Sequence, residues 1–151
     1  MKLDYLIAAE FASSDSGGKA TLVGVFDHLY VKELPAVLSS LSVATRLALE
    51  SGDIRAEPHK FELVMEHPTG EKLTQIKNEF LAPKPVGQKS GSLDFGSVQL
   101  VINLRDPMFP VSGSYVIRLD VDGRTIGTTT IHVGSTANQP KPLSDQSKPT
   151  Q

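Results

Sequence analysis

The side chains best equipped for chemistry in this chain are four histidines and a scatter of carboxylates, and their spacing along the sequence assembles no site. His28, His59, His67 and His132 contain no His-x-His or His-x-x-x-His interval, the spacings at which one strand or helix offers two imidazoles to one metal ion. His59 and His67 share a strand face, but eight residues at a strand rise put them roughly 26 Å apart. His28 and His132 meet only if folding brings them together. Asp120-Val121-Asp122-Gly123 resembles the start of a calcium loop, yet calcium needs six or more oxygens, usually with several acidic residues in one loop. The turn explains this Asp-x-Asp-Gly without a metal: Asp122 and Gly123 make it, and Asp120 is an outward strand position. Asp53 and Asp106 lie in other loops.

Catalytic signatures are equally thin. Ser16-Gly17-Gly18-Lys19-Ala20-Thr21 lacks the leading Gly of a phosphate loop, and Ala20 stands where the metal-binding hydroxyl belongs. A strand follows it, so no helix N-terminus is aimed at a phosphate. Glu62, Glu66 and Glu79 are the carboxylates available for paired acid–base work, but Glu62 and Glu66 alternate on one strand as on any solvated sheet face. No Gly-x-Ser-x-Gly elbow or Gly-x-Gly-x-x-Gly turn is present. With zero Trp and three Tyr, the chain is poor in platforms for stacking on sugars. Two loops are the better candidates for contact with a partner. Asp106-Pro107-Met108-Phe109-Pro110 holds Met108 and Phe109 between prolines, either as a cap on the fold or as a binding anchor. Residues 81–93 form a connection longer than usual, bearing Lys84 and Lys89.

The elements that must position these residues read as strands. Alternating apolar and polar residues, separated by Gly, Pro and Asp, predict eight strands at 3–11, 20–27, 41–49, 60–67, 72–80, 94–104, 114–121 and 124–133. In the first, Leu3, Tyr5, Ile7, Ala9 and Phe11 are expected on one face. The second breaks alternation, as a strand buried on both faces or twisted at Gly24 would. The third alternates cleanly, although its Ala and Leu content also permits a helix. Asp122-Gly123 between two alternating runs predicts a type I′ turn, in which both central residues take φ > 0. A short helical turn is expected over residues 33–39. From residue 135 the composition shifts to Pro, Gln, Ser and Lys, with too few apolar residues to offset the entropy of ordering. The expected division is a β-sandwich domain over 1–134 and a disordered tail over 135–151.

Composition narrows the function classes. The 151 residues suit one domain, with 39% hydrophobic and 21% charged residues. A formal net charge of -2 supplies no positive field for a nucleic-acid backbone. The absence of Cys excludes disulfide scaffolds, thiolate zinc sites and a Cys nucleophile, and fits a reducing cytoplasm. Asp4 and Glu10 confine the N-terminal apolar stretch to about five residues, short of the ~7–15 of a signal peptide. No apolar run approaches the ~20 residues of a membrane helix.

Lys19-Ala20-Thr21-Leu22-Val23-Gly24-Val25-Phe26-Asp27, then Leu34-Pro35, and Gly113-Ser114-Tyr115-Val116-Ile117 leading to Val121-Asp122-Gly123 resemble a family of small, uncharacterised bacterial and phage-associated proteins known as a domain of unknown function. The similarity covers about residues 3–133 and rests on Gly and turn positions plus a core Tyr. Leu34 departs from it, since an aromatic is expected before that Pro. The resemblance implies a β-sandwich and carries over no activity.

The combined expectation is an all-β, antiparallel sandwich of about eight strands, not an enzyme, without cofactor or bound metal. It is expected in the cytoplasm as a binding or assembly module, contacting a protein partner or a second copy, with no nucleic acid or membrane. Its contacts are expected at Met108, Phe109, Lys84 and Lys89, or at a sheet edge. The alternative is a small-ligand binder or hydrolase in which His28, His132, Asp106 and Asp120 converge only in the fold.

Overall fold

The computed structural model describes residues 1–83 and 96–138. Four strands, β1 (Lys2–Ser14), β2 (Ala20–Val25), β5 (Ser40–Ala48) and β8 (Ser97–Arg105), form one antiparallel sheet in the order β2-β1-β5-β8. A second sheet has the order β3-β11-β10-β6-β7, built from β3 (His28–Val31), β6 (His59–Glu66), β7 (Lys72–Phe80), β10 (Gly113–Val121) and β11 (Arg124–Ser135). Its pairs are antiparallel except β3 on β11, which is parallel. A two-stranded ladder, β4 (Ala36–Val37) with β9 (Met108–Phe109), closes one end.

The alternation that marks the strands also decides which face is buried. Leu41, Val43, Thr45 and Leu47 of β5 meet Leu63, Ile117 and Ile131 of the second sheet in one core. Each fully buried aliphatic side chain contributes about 1.5–3 kcal/mol relative to exposure, so these inward rows hold the two layers together. Thr45 is the polar member of the row, and its hydroxyl donates to the Tyr5 carbonyl at 2.8 Å. That hydrogen bond removes most of the cost of burying the hydroxyl. The clean alternation of β5 is therefore that of a strand, and the helical option for this segment is closed.

Four expectations are corrected. A register shift between Leu3 and Tyr5 changes the phase of β1, so Leu6 and Ala8 enter the core while Tyr5, Ile7 and Ala9 face outward. A bulge adds one residue to one side of a ladder, and every later side chain changes face. Residues 33–39 form bends and the β4 ladder in place of a helical turn. Pro35 has no N–H to give a helix, while Ala36 and Val37 find ladder partners in Phe109 and Met108. β2 is an edge strand and is not buried on both faces: Val23 and Val25 are exposed, and the irregularity sits at Gly24, with φ of 65°. The domain runs past residue 134, because β11 continues to Ser135 and a 3-10 turn follows over Thr136–Asn138. Ser135 and Thr136 donate to the carbonyls of Lys32 and Val31 at 3.1 and 3.3 Å, which ties this segment to β3. The expected tail beyond Asn138 lies outside the described residues.

β1 is longer than its pairing with β5, which ends at Ala9 opposite Ser42. Its remainder pairs with β2 alone, making a two-stranded arm. Gly17, Gly18, Lys19, Ala20 and Leu22 of this arm wall one hollow together with Tyr5, Arg46, Ser97 and Gln99. The arm is therefore bent back over the outer face of its own sheet. Ala9, Ser42 and Ala44, outward-facing small residues, are buried on that face.

Candidate functional site

The Asp106–Pro110 segment separates its two apolar side chains. Pairing of β4 with β9 turns Phe109 inward, where it is fully buried with its ring edge-on to Tyr115 at 5.0 Å between centroids. Phe109 is thus a cap on the core and not a surface anchor. Met108 points the other way, exposed beside its ladder partner Val37, which is exposed as well. The Tyr115 hydroxyl fixes the loop from beneath, donating to the Val111 carbonyl at 2.6 Å and accepting the Val111 N–H at 3.2 Å. Lys84 and Lys89 lie outside the described residues.

Of the alternative set of ligand-binding residues only His28 and His132 come together, and Asp106 and Asp120 lie elsewhere. Asp106 lines a hollow with Leu73, Thr74 and Met108, Asp120 one with Lys60, Glu62 and Lys77, and His28 a third with Glu10, Phe26 and Tyr30. Two of the three carboxylates that could do acid–base chemistry are held by neighbours: Glu66 by Arg118, and Glu62 by Gln75 and Lys72. The Gly-rich loop is closed in the same way. Asp15 Oδ1 accepts the N–H groups of Gly17 and Lys19, each at 2.9 Å, and so occupies the place a phosphate oxygen would need. No group of three or more His, Cys, Asp or Glu suited to a metal occurs among the described residues.

Asp122 has a larger role than its turn position suggests. Both central residues of the turn have positive φ, 49° at Asp122 and 78° at Gly123, as the type I′ expectation requires. The freed carboxylate then accepts from His59 Nδ1 at 2.7 Å, Arg55 Nη2 at 2.9 Å and the Lys60 N–H at 3.0 Å. Burial opposes ionisation of this carboxyl, but the His59 and Lys60 hydrogen bonds and the Arg55 charge outweigh it and hold its pKa below the usual value. His59 is buried, and its other ring nitrogen lies 2.8 Å from the Asp53 carbonyl. Arg55 and His59 flank Pro58 in the approach to β6, a link between distant segments that no local pattern announces.

The outer face of the second sheet carries a register-matched row at one end: His28 on β3 opposite His132 on β11, and His132 opposite Ser114 on β10. The two imidazole centroids are 4.9 Å apart. Asp27 Oδ1 accepts from His28 Nδ1 at 2.7 Å, and Ser114 Oγ lies 2.8 Å from His132 Nδ1. The hydrogen bond from His28, with the charges of His28 and then His132, holds the Asp27 carboxyl below its ordinary pKa. His28 and His132 were the pair that only folding could join, and a parallel strand too short to stand out in the sequence joins them.

The arm presents a group of apolar side chains to solvent. Phe11 and Val23 are cross-strand partners, 54% and 52% exposed, and Val25 further along β2 is 57% exposed. Side chains this apolar, clustered across an edge strand and its neighbour, mark a surface used for contact more often than scattered exposed residues do. The sequence did register them, as the failed alternation of β2, but that signal does not separate burial within the chain from exposure awaiting a partner.

Comparison with solved structures gives distant likenesses only. An alkylpurine DNA glycosylase, AlkC from Pseudomonas fluorescens, bound to DNA containing an abasic site analog, is 9% identical with a TM-score of 0.46, over 87% of this chain and 30% of that one. An immunoglobulin-like protein from Pseudomonas aeruginosa is 13% identical with a TM-score of 0.41, over 88% of this chain and 95% of that one. The chain thus spans less than a third of the glycosylase. No curated protein matches it. No helix among the described residues is long and apolar enough to cross a membrane. Residues 4–134 match the model of the family of unknown function DUF6941, and the chain belongs to that family.

Proposed function

We propose that this domain is a non-catalytic protein-binding or assembly module whose contact surface is the outward side of the β1–β2 arm. The observation that carries this reading is the exposed cluster of Phe11 on β1 with Val23 and Val25 on β2, the strand whose outer edge is unpaired. An extended segment of a protein partner adds its main-chain hydrogen bonds to β2 and covers the three side chains, the mode known as strand addition. The bend favours this use, since it turns the Ala20 and Leu22 side of the arm toward its own sheet and leaves Phe11, Val23 and Val25 exposed. Cytoplasmic residence fits the Cys-free composition. The pairing of Glu62 with Lys72 and of Glu66 with Arg118 favours binding over hydrolysis at that strand face.

The test compares the wild-type chain with V23K and F11S by light scattering after size exclusion and by pull-down from host lysate, at several salt concentrations. The proposal expects a partner or a self-association that both substitutions weaken without lowering Tm. A wild-type chain that stays monomeric and retains nothing, or a complex indifferent to both substitutions, overturns it.

A further inference from the structure

We propose that His28 and His132 form a two-imidazole binding site for a borderline-soft divalent transition ion such as Zn2+, with water completing the coordination. The register places the two residues side by side on adjacent parallel strands, so both rings stand on the outer face of the same sheet. Two imidazoles bound through nitrogen at about 2.0–2.1 Å, subtending ~90–109° at the ion, have ring centroids about 4.5–5.2 Å apart. The observed separation of 4.9 Å falls inside that interval.

The partners of the other ring nitrogens supply the independent support. A ligating histidine almost always gives its non-ligating N–H to a carboxylate, backbone carbonyl or water, which fixes the tautomer and the ring, and a hydroxyl oxygen accepts in the same way as that water. Asp27 Oδ1 takes that place at His28 Nδ1, and Ser114 Oγ takes it at His132 Nδ1. Both arrangements leave Nε2 as the metal-facing nitrogen, and neither Nε2 has a hydrogen-bond partner among the described residues. The parts come from three places in the chain, Asp27-His28, Ser114 and His132, and are independent of the arm.

Calorimetric titration of the full chain with Zn2+ tests the site, alongside H28A, H132A, the double variant, D27N and H67A. All four substituted positions are outside the sandwich core, so thermal melts are expected to stay close to wild type and to confirm folding. The expected result is one equivalent of Zn2+ bound by the wild-type and H67A chains and lost in H28A, H132A and the double variant. D27N is expected to bind about 10–100-fold more weakly, the usual cost of losing such an outer partner. Imidazole proton resonances of His28 and His132, but not His67, are expected to shift during the titration. Absence of saturable binding in the wild type, or one equivalent persisting in the double variant, overturns the proposal. A D27N chain that binds as tightly as wild type removes Asp27 from it.

Discussion

Asp122 Oδ2 accepts a hydrogen bond from His59 Nδ1 at 2.7 Å, joining the last hairpin turn to the start of β6 across 63 residues of sequence. The same oxygen also meets Arg55 Nη2 at 2.9 Å. A residue chosen by turn chemistry thereby becomes the anchor for a cation and a buried imidazole. Both ring nitrogens of His59 thus face oxygen atoms, one on Asp122 and one on the Asp53 backbone.

Asn fits a type I′ turn nearly as well as Asp, so a role confined to the turn makes D122N almost neutral. The carboxylate contacts lead to a different expectation. D122N is expected to destabilise the domain by about 1–3 kcal/mol, the range for losing charge-assisted hydrogen bonds with a donor left buried. A double-mutant cycle with H59Q in urea is expected to be non-additive, because the two residues share one interaction. Additive effects would assign Asp122 to the turn alone.

The low carboxyl pKa of Asp122 also sets a pH dependence. Its folded-state pKa lies below the unfolded value of about 3.8. Stability from its contacts is fully present above that value and is lost as pH falls through the folded pKa. The stability gap between wild type and D122N is therefore expected to be widest near neutrality and to narrow below about pH 4. Urea midpoints measured from pH 7 down to pH 2.5 check this, and a gap that widens on acidification contradicts it.

Gly123 offers a separation of backbone strain from crowding. A Cβ built there meets nothing within 4 Å, so the φ of 78° is the whole penalty. G123V is expected to cost roughly 1–2 kcal/mol. Hydrogen exchange is expected to rise first at the β10–β11 turn, with β1 and β5 protected as before.

Tyr115 was legible in the sequence as a core residue, and its hydroxyl extends that role. Y115F is expected to cost about 1 kcal/mol, the usual net worth of a hydrogen bond, here the one that the Tyr115 hydroxyl gives the Val111 carbonyl. The expected readout is a lower urea midpoint with an unchanged m-value. An unchanged midpoint shows that the hydroxyl does not hold the loop.

The limits of reading this chain as a sequence have physical causes. β5, β6, β8 and the β10–β11 hairpin were legible because long runs with period 2 and a turn with one favoured chemistry are local signals. β3, β4 and β9 were not, because strands of four and two residues are too short to show a period. They exist through their partners. The phase of β1 was lost to a single bulge. Asp122 with His59, and His28 with His132, were each visible as residue types but joined only by register between distant strands. The arm gave a true signal with two readings, since a strand apolar on both sides looks the same whether its cover is within the chain or outside it.

Met108 and Phe109, adjacent in sequence, are expected to respond in opposite ways. Phe109 is fully buried against Tyr115, and removing a buried aromatic leaves a cavity as well as losing transfer energy. F109A is therefore expected to destabilise by about 3–5 kcal/mol. Met108 is 55% exposed beside Val37, and M108K is expected to fall within about 0.5 kcal/mol of wild type. Thermal melts of both variants check the pair directly. The ladder itself predicts the asymmetry, since successive residues of β9 must face opposite sides. If M108K melts as low as F109A, Met108 is also covered in the folded chain and the β4–β9 ladder is not the arrangement that orients them.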